Sequence, residues 1–125
     1  MEVFDRAAAA GARLLRVEER TPADRAAGAQ YLLTFDVGRV LVRGVGGRAL
    51  EAVHMEERDD LESELSDASE QEPWWRLLGA QLARKQPAPD ARQVRLQFLI
   101  ADARPRMLRL TAEPGGVRAL IESGD

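Results

Sequence analysis

The sequence predicts an α+β fold: a curved antiparallel sheet of about seven strands, in the order α-β-β-β-β-α-β-β-β, with a tryptophan-bearing helix packed on one face. Three observations lead there. Tyr31, Leu33, Phe35 and Val37 alternate with more polar residues, as do Val94, Leu96, Phe98 and Ile100, the period-two signature of strands buried on one face. Short turn signals separate most of the strands, which favours antiparallel pairing, because a parallel pair needs a crossover of a dozen residues or more. Trp74 and Trp75 follow Pro73 directly, and proline suits the first position of a helix, where its missing N–H is not needed.

Taken in order, Met1 to about Ala12 reads as a short helix, since Val3, Phe4, Ala7, Ala8 and Gly11 recur at helical spacing and alanine favours the helix. Residues 13–20 carry charges at alternate positions, as a half-buried strand does, and Thr21-Pro22 closes it. Strands are then expected from Gln30 to Val37, from Arg39 to Val45 after a turn at Gly38, and from Ala49 to Glu56 after Gly46-Gly47. Residues 57–72 are poor in apolar side chains and read as an exposed acidic loop. On a helix beginning at Pro73, the residues Trp74, Trp75, Leu77, Leu78 and Leu82 fall within an arc of roughly 160°. An alternative start with Ser69 and Glu72 as a capping box would push Pro73 deeper into the helix. Pro87 and Pro89 end this element, and strands near 94–100, 108–112 and 117–122 complete a second meander. No internal repeat at a fixed period stands out.

The 125 residues suit one domain with its own core. The chain has no cysteine, which removes disulfides, thiolate metal sites and a cysteine nucleophile, and fits a reducing compartment. Acids near Met1 and the lack of a long apolar run point to a soluble cytoplasmic protein with no membrane partner. Basic residues are almost all arginine, with Lys85 the single lysine; together with abundant alanine this reads as GC-rich bacterial coding rather than selection for phosphate binding. Charge is uneven. Residues 51–72 hold ten carboxylates and one arginine, a net −9, whereas the whole chain carries −3.

Candidate chemistry is sparse. Asp59, Asp60, Glu62, Glu64 and Asp67 are oxygen ligands of the kind calcium takes, but the ligand order and central glycine of an EF-hand are absent, and a solvated run is the plainer reading. His54 is the only histidine and is placed on a strand, facing solvent or a sheet edge; no serine sits in a nucleophile elbow. The six aromatic residues are too few to line a sugar cleft, and Gly44-Val45-Gly46-Gly47 lies between strands without the lysine of a phosphate loop. Arg92, Arg95, Arg104, Arg106, Arg109 and Arg118 would form a stripe if their strands align, although a pI near 5.3 argues against nucleic acid. No catalytic residue, metal or cofactor is assigned. The expected function is that of an immunity, adaptor or chaperone-like module meeting a basic protein through Asp59, Asp60, Glu62, Glu64, Asp67, Trp74 and Trp75, one indole anchoring its helix and the other available to a partner. A small-molecule pocket between the sheet and the tryptophan helix is the alternative, and pairing of strand edges in a homodimer a third.

Overall fold

The computed structural model describes residues 2–20, 28–45, 48–55, 65–86, 90–100 and 104–122. Within these, one helix, α1 (Glu2–Ala9), precedes nine strands: β1 (Leu14–Arg20), β2 (Gln30–Phe35), β3 (Gly38–Val45), β4 (Ala49–Met55), β5 (Leu65–Asp67), β6 (Gln81–Gln86), β7 (Gln93–Leu99), β8 (Arg106–Glu113) and β9 (Gly116–Glu122). They build two sheets, ordered β4-β3-β2-β1-β5 and β6-β7-β8-β9, with every ladder antiparallel. The sheets face each other over a common core, in which Leu33, Phe35, Val40 and Val42 meet Leu96, Phe98, Leu108 and Leu110. Helix α1 lies against β6 and β4 and buries Phe4 and Ala7.

Three expectations are corrected. The strands number nine rather than seven, and they form two sheets instead of one curved sheet. The tryptophan helix does not exist: Trp74–Arg76 is a single 3-10 turn, and Gln81–Gln86 is a strand. The helical arc passed over Gly79, whose φ of 79° is left-handed and ends the turn. Beyond it the backbone bonds to the start of the first meander, with the Gly79 N–H donating to the Leu14 carbonyl (2.7 Å), Leu14 N–H to the Ala80 carbonyl (3.0 Å) and Leu82 N–H to the Ala12 carbonyl (2.8 Å), and Gln81–Gln86 pairs with β7. A short apolar run fits either period, and here the partner strand decides.

The acidic loop is corrected in its second part; residues 57–64 lie outside the described residues. From Leu65 the chain is tied to β1, with Arg20, Glu19 and Glu18 opposite Leu65, Ser66 and Asp67. Ala68 N–H donates to the Val17 carbonyl (2.8 Å), and the buried Ser69 hydroxyl accepts from Val17 N–H (2.9 Å) and donates to Val17 O (3.2 Å). Ser69 therefore extends the β1 edge and does not cap a helix.

A repeat also emerges. Strands β1–β4 and β6–β9 are two four-stranded meanders, each introduced by a helical segment and a positive-φ glycine, Gly11 (65°) or Gly79 (79°). Gly11-Ala12-Arg13-Leu14-Leu15-Arg16 answers to Gly79-Ala80-Gln81-Leu82-Ala83-Arg84, and Gln30-Tyr31-Leu32-Leu33-Thr34-Phe35 to Gln93-Val94-Arg95-Leu96-Gln97-Phe98. Each opening strand bulges at the same place, between Leu14 and Arg16 or between Leu82 and Arg84. Counterparts meet across an approximate two-fold: Arg13 bridges Gln81 in antiparallel fashion, and a Cβ added to Gly44 would lie 3.4 Å from the Cβ of Ala112. No fixed period relates the halves because more residues separate β1 from β2 than β6 from β7.

Candidate functional site

Of the residues nominated by the sequence, Asp59, Asp60, Glu62 and Glu64 lie outside the described residues. The other three occupy different environments. Trp74 is 1 % exposed, its ring centroid 5.1 Å from that of Tyr31 at a 55° tilt. Its buried indole N–H has no hydrogen-bond partner among the described residues. Burial, with the charge of Glu19, pushes the Tyr31 phenol above its ordinary pKa; the indole N–H opposes this without reaching hydrogen-bond geometry. Asp67 is exposed on β5, and its Oδ1 accepts the Ser69 N–H at 2.9 Å, which holds the carboxyl below its usual pKa.

Trp75 is 51 % exposed, and the chain around it is closely ordered. The Glu72–Pro73 bond is cis, and Arg76 N–H donates to Pro73 O (3.1 Å) while Leu77 N–H donates to Trp74 O (2.9 Å). In such a turn residues three apart share a face, so Trp74 and Leu77 point into the core while Trp75 and Leu78 both stand outside. The Arg76 guanidinium lies 4.7 Å from the Trp75 ring centroid. Glu72 grips that guanidinium with both oxygens, 2.9 Å from Nε to Oε2 and 3.0 Å from Nη2 to Oε1. The grip depresses the Glu72 pKa and raises that of Arg76.

Leu15 completes this surface. It occupies the bulge of β1, is 55 % exposed, and follows Leu14, whose carbonyl accepts the Gly79 N–H. Arg13 reinforces the junction by donating from Nη1 to the Gly79 carbonyl at 3.0 Å. Three exposed apolar side chains, Leu15, Trp75 and Leu78, are thus held around the seam where the two sheets join. The Glu72–Arg76 pair was readable as an acid four residues before a base. Leu15 and Leu78 were not, because their exposure depends on a bulge and on the early end of the turn.

Elsewhere the arginine stripe forms in part and is largely compensated. Arg95 and Arg109 are direct cross-strand partners and share Glu122 (2.8 and 3.7 Å), while Arg118 lies 3.6 Å from Glu113 and Arg92 3.8 Å from Asp90. Beside the tryptophan turn is an open recess of ≈ 390 Å³ bordered by Pro73, Arg76, Arg106 and Ile121. His54 is exposed and lines a separate recess of ≈ 280 Å³ beneath α1. Among the described residues no group of three or more His, Cys, Asp or Glu side chains is arranged to hold a metal ion, and no helix is long and apolar enough to cross a membrane. No protein-family model, curated protein or solved structure matches the chain.

Proposed function

We propose that this protein acts by binding another protein, as an immunity, adaptor or chaperone-like accessory module, with Trp75 as the anchor of the contact. One observation carries the reading: a half-exposed indole, 51 % accessible, sits under a stacked arginine that is itself gripped by a carboxylate. An aromatic ring ordered before association loses little conformational freedom when a partner closes over it, and tryptophan is enriched at the centres of interfaces. Leu15 and Leu78 widen the apolar centre, and Glu72 supplies an acidic margin. The partner that fits is a protein with an apolar pocket for the indole and a basic rim, whose association slows as salt rises.

The decisive measurement compares the intact protein with Trp75→Ala. Its folding stability is expected to stay within about 0.5 kcal/mol of the parent, as for other exposed positions. Its affinity for the partner recovered from the source cells at low salt is expected to fall roughly thirtyfold or more. A partner retained equally well by Trp75→Ala places the contact elsewhere, and recovery of no partner at low salt counts against the whole reading.

A further inference from the structure

The outer edge of the second sheet is complementary to itself. Strand β9 ends that sheet, and at its start Val117 N–H donates to the Ala29 carbonyl (2.9 Å), from which the chain passes into β2 of the other sheet. Backbone groups alternate in direction along a strand, so Ala119 and Ile121 turn theirs to the same side as Val117. No bond to another described residue continues the edge there. Space lies in front of it, since Ala119, Leu120 and Ile121 border the ≈ 390 Å³ recess beside Pro73. β9 has neither a proline nor a bulge, two of the usual means of blunting an edge.

The side chains on the outer face of β9 match under a two-fold. Arg118, Leu120 and Glu122 share that face, whereas Ala119 and Ile121 pack toward the core; Arg118 is exposed and Leu120 is 40 % exposed. When two copies of β9 pair antiparallel through Ala119 and Ile121, each Arg118 stands opposite Glu122 of the second copy, and Leu120 meets Leu120 on the axis. Opposite charges across a ladder stabilise it, and like charges destabilise it. The adjacent registers set Arg118 or Glu122 against leucine, and the next ones set arginine against arginine or glutamate against glutamate. The pairing does not require vacant charges. Arg118 reaches Glu113 at 3.6 Å, an exposed contact that contributes little and is readily exchanged, and Glu122 keeps Arg95.

The internal repeat separates this match from what the architecture supplies. β4 holds the equivalent place in the first meander, and its edge is bonded in the same way, Leu50 N–H donating to the Ala91 carbonyl (2.8 Å). There Glu51, Val53 and Met55 stand where β9 has Arg118, Leu120 and Glu122, and the same pairing would set a glutamate against a methionine. Of these two edges, β9 alone carries complementary ends.

We infer that the protein forms a two-fold dimer through β9, which joins the four-stranded sheets of two copies into one continuous sheet. The paired stretch runs from Arg118 to Glu122, and Ala119 and Ile121 of the second copy face the recess beside Pro73. A contact this short falls below the roughly 1,200 Å² of stable interfaces, so the dimer is weak, with a Kd on the order of 10–100 µM. The inference does not rest on the Trp75 reading, and its test uses the protein alone.

Sedimentation of the intact chain from about 5 to 500 µM is expected to show a monomer passing into a dimer. Leu120→Glu tests the axis: within its own sheet the new carboxylate faces its cross-strand partner Arg109, whereas in the dimer two carboxylates meet. Dimerisation should weaken roughly tenfold or more, with no fall in the melting temperature of the dilute protein. Arg118→Glu should weaken it too, and Arg118→Lys should preserve it. The chain has no cysteine, so Leu120→Cys supplies a single thiol, its Cβ about 5 Å from that of its mate across the axis, and it should cross-link under mild oxidation. Arg118→Cys, which faces Glu122 rather than itself, and Leu15→Cys should not. The inference is overturned by a monomer at every concentration, by a dimer that Leu120→Glu leaves unchanged, or by Arg118→Cys or Leu15→Cys cross-linking as fast as Leu120→Cys.

Discussion

The two meanders share one construction and differ most where they face away from the core. In the first, Leu32 and Leu41 are direct partners across β2 and β3, 0 % and 2 % exposed although they belong to the face opposite the shared core. The corresponding pair across β7 and β8 is Arg95 and Arg109, partly exposed and held together by Glu122. Like charges directly opposite on a sheet destabilise it, so the carboxylate from β9 is what makes the arginine pair tolerable. Inward positions are constrained alike in both halves: Leu33 matches Leu96, and Phe35 matches Phe98. The shared core fixes the inner pattern, and the outer pattern is free to diverge.

That contrast is broken or sharpened first by truncating one member of each outer pair. Leu41→Ala is expected to cost about 2 kcal/mol or more, since it empties a fully enclosed position. Arg109→Ala is expected to change stability by no more than about 0.5 kcal/mol, because its longer contact to Glu122 lies near the surface and Arg95 keeps the shorter one. Urea unfolding of both variants reads the difference directly. Equal losses would mean that the outer faces are not as different as their burial indicates.

The next test concerns what the halves have in common, the left-handed glycine before each opening strand. An alanine at such a position costs roughly 1–2 kcal/mol from backbone conformation alone. A Cβ at Gly79 meets nothing within 4 Å, whereas one at Gly11 would approach the Gln81 Nε2 to 2.9 Å. Gly79→Ala should therefore show the conformational cost by itself, and Gly11→Ala that cost plus the displacement of a side-chain amide. If either variant melts at the parent temperature, a positive φ is not required there and the supposed equivalence of the two turns fails.

The same contrast explains what the sequence reveals. Strands β2–β4 and β7–β9 were readable within about two residues because their core-facing side chains recur at every second position between turn signals, even where β2 and β3 also bury Leu32 and Leu41 on the other face. β6 was not, because Trp74, Leu77 and Leu82 satisfy a helical arc as readily as a turn followed by a strand, and pairing with β7, with bonds from Gly79, Ala80 and Leu82 to the chain around Leu14, decides between them. β5 was hidden for a related reason: its three residues include only one apolar side chain, Leu65, and they are strand because an edge of β1 was open. Composition identified Trp74 and Trp75 as informative, yet which indole faces outward is fixed by the 3-10 spacing. The repeat escaped a search at constant period because its two copies differ in the length of their first connection.

The smallest expected effect lies at the lead-in to the second meander, which is held by an ion pair where the first has a full helix. Arg76 holds the Glu72 carboxyl below its ordinary pKa, which the unfolded chain restores. A carboxyl with a depressed folded pKa favours the folded state wherever it is ionised, so the contribution is complete above the unfolded value and fades as pH falls through the folded one. Glu72→Gln should thus melt slightly below the parent near pH 6, and the gap should narrow as pH falls below the ordinary carboxylate range and close once the folded Glu72 carboxyl is protonated. Asp67 has a depressed pKa of its own through the Ser69 N–H, but it is unchanged between the two proteins and cancels in the comparison. Trp75 gives a second readout, because loss of the Glu72 grip frees the guanidinium stacked on its ring. Its fluorescence in the parent should move toward that of Glu72→Gln over the same acid range. A melting gap that persists unchanged from neutral to strongly acid solution would show that Glu72 acts through packing, and the ordered indole would then have to be explained by the turn alone.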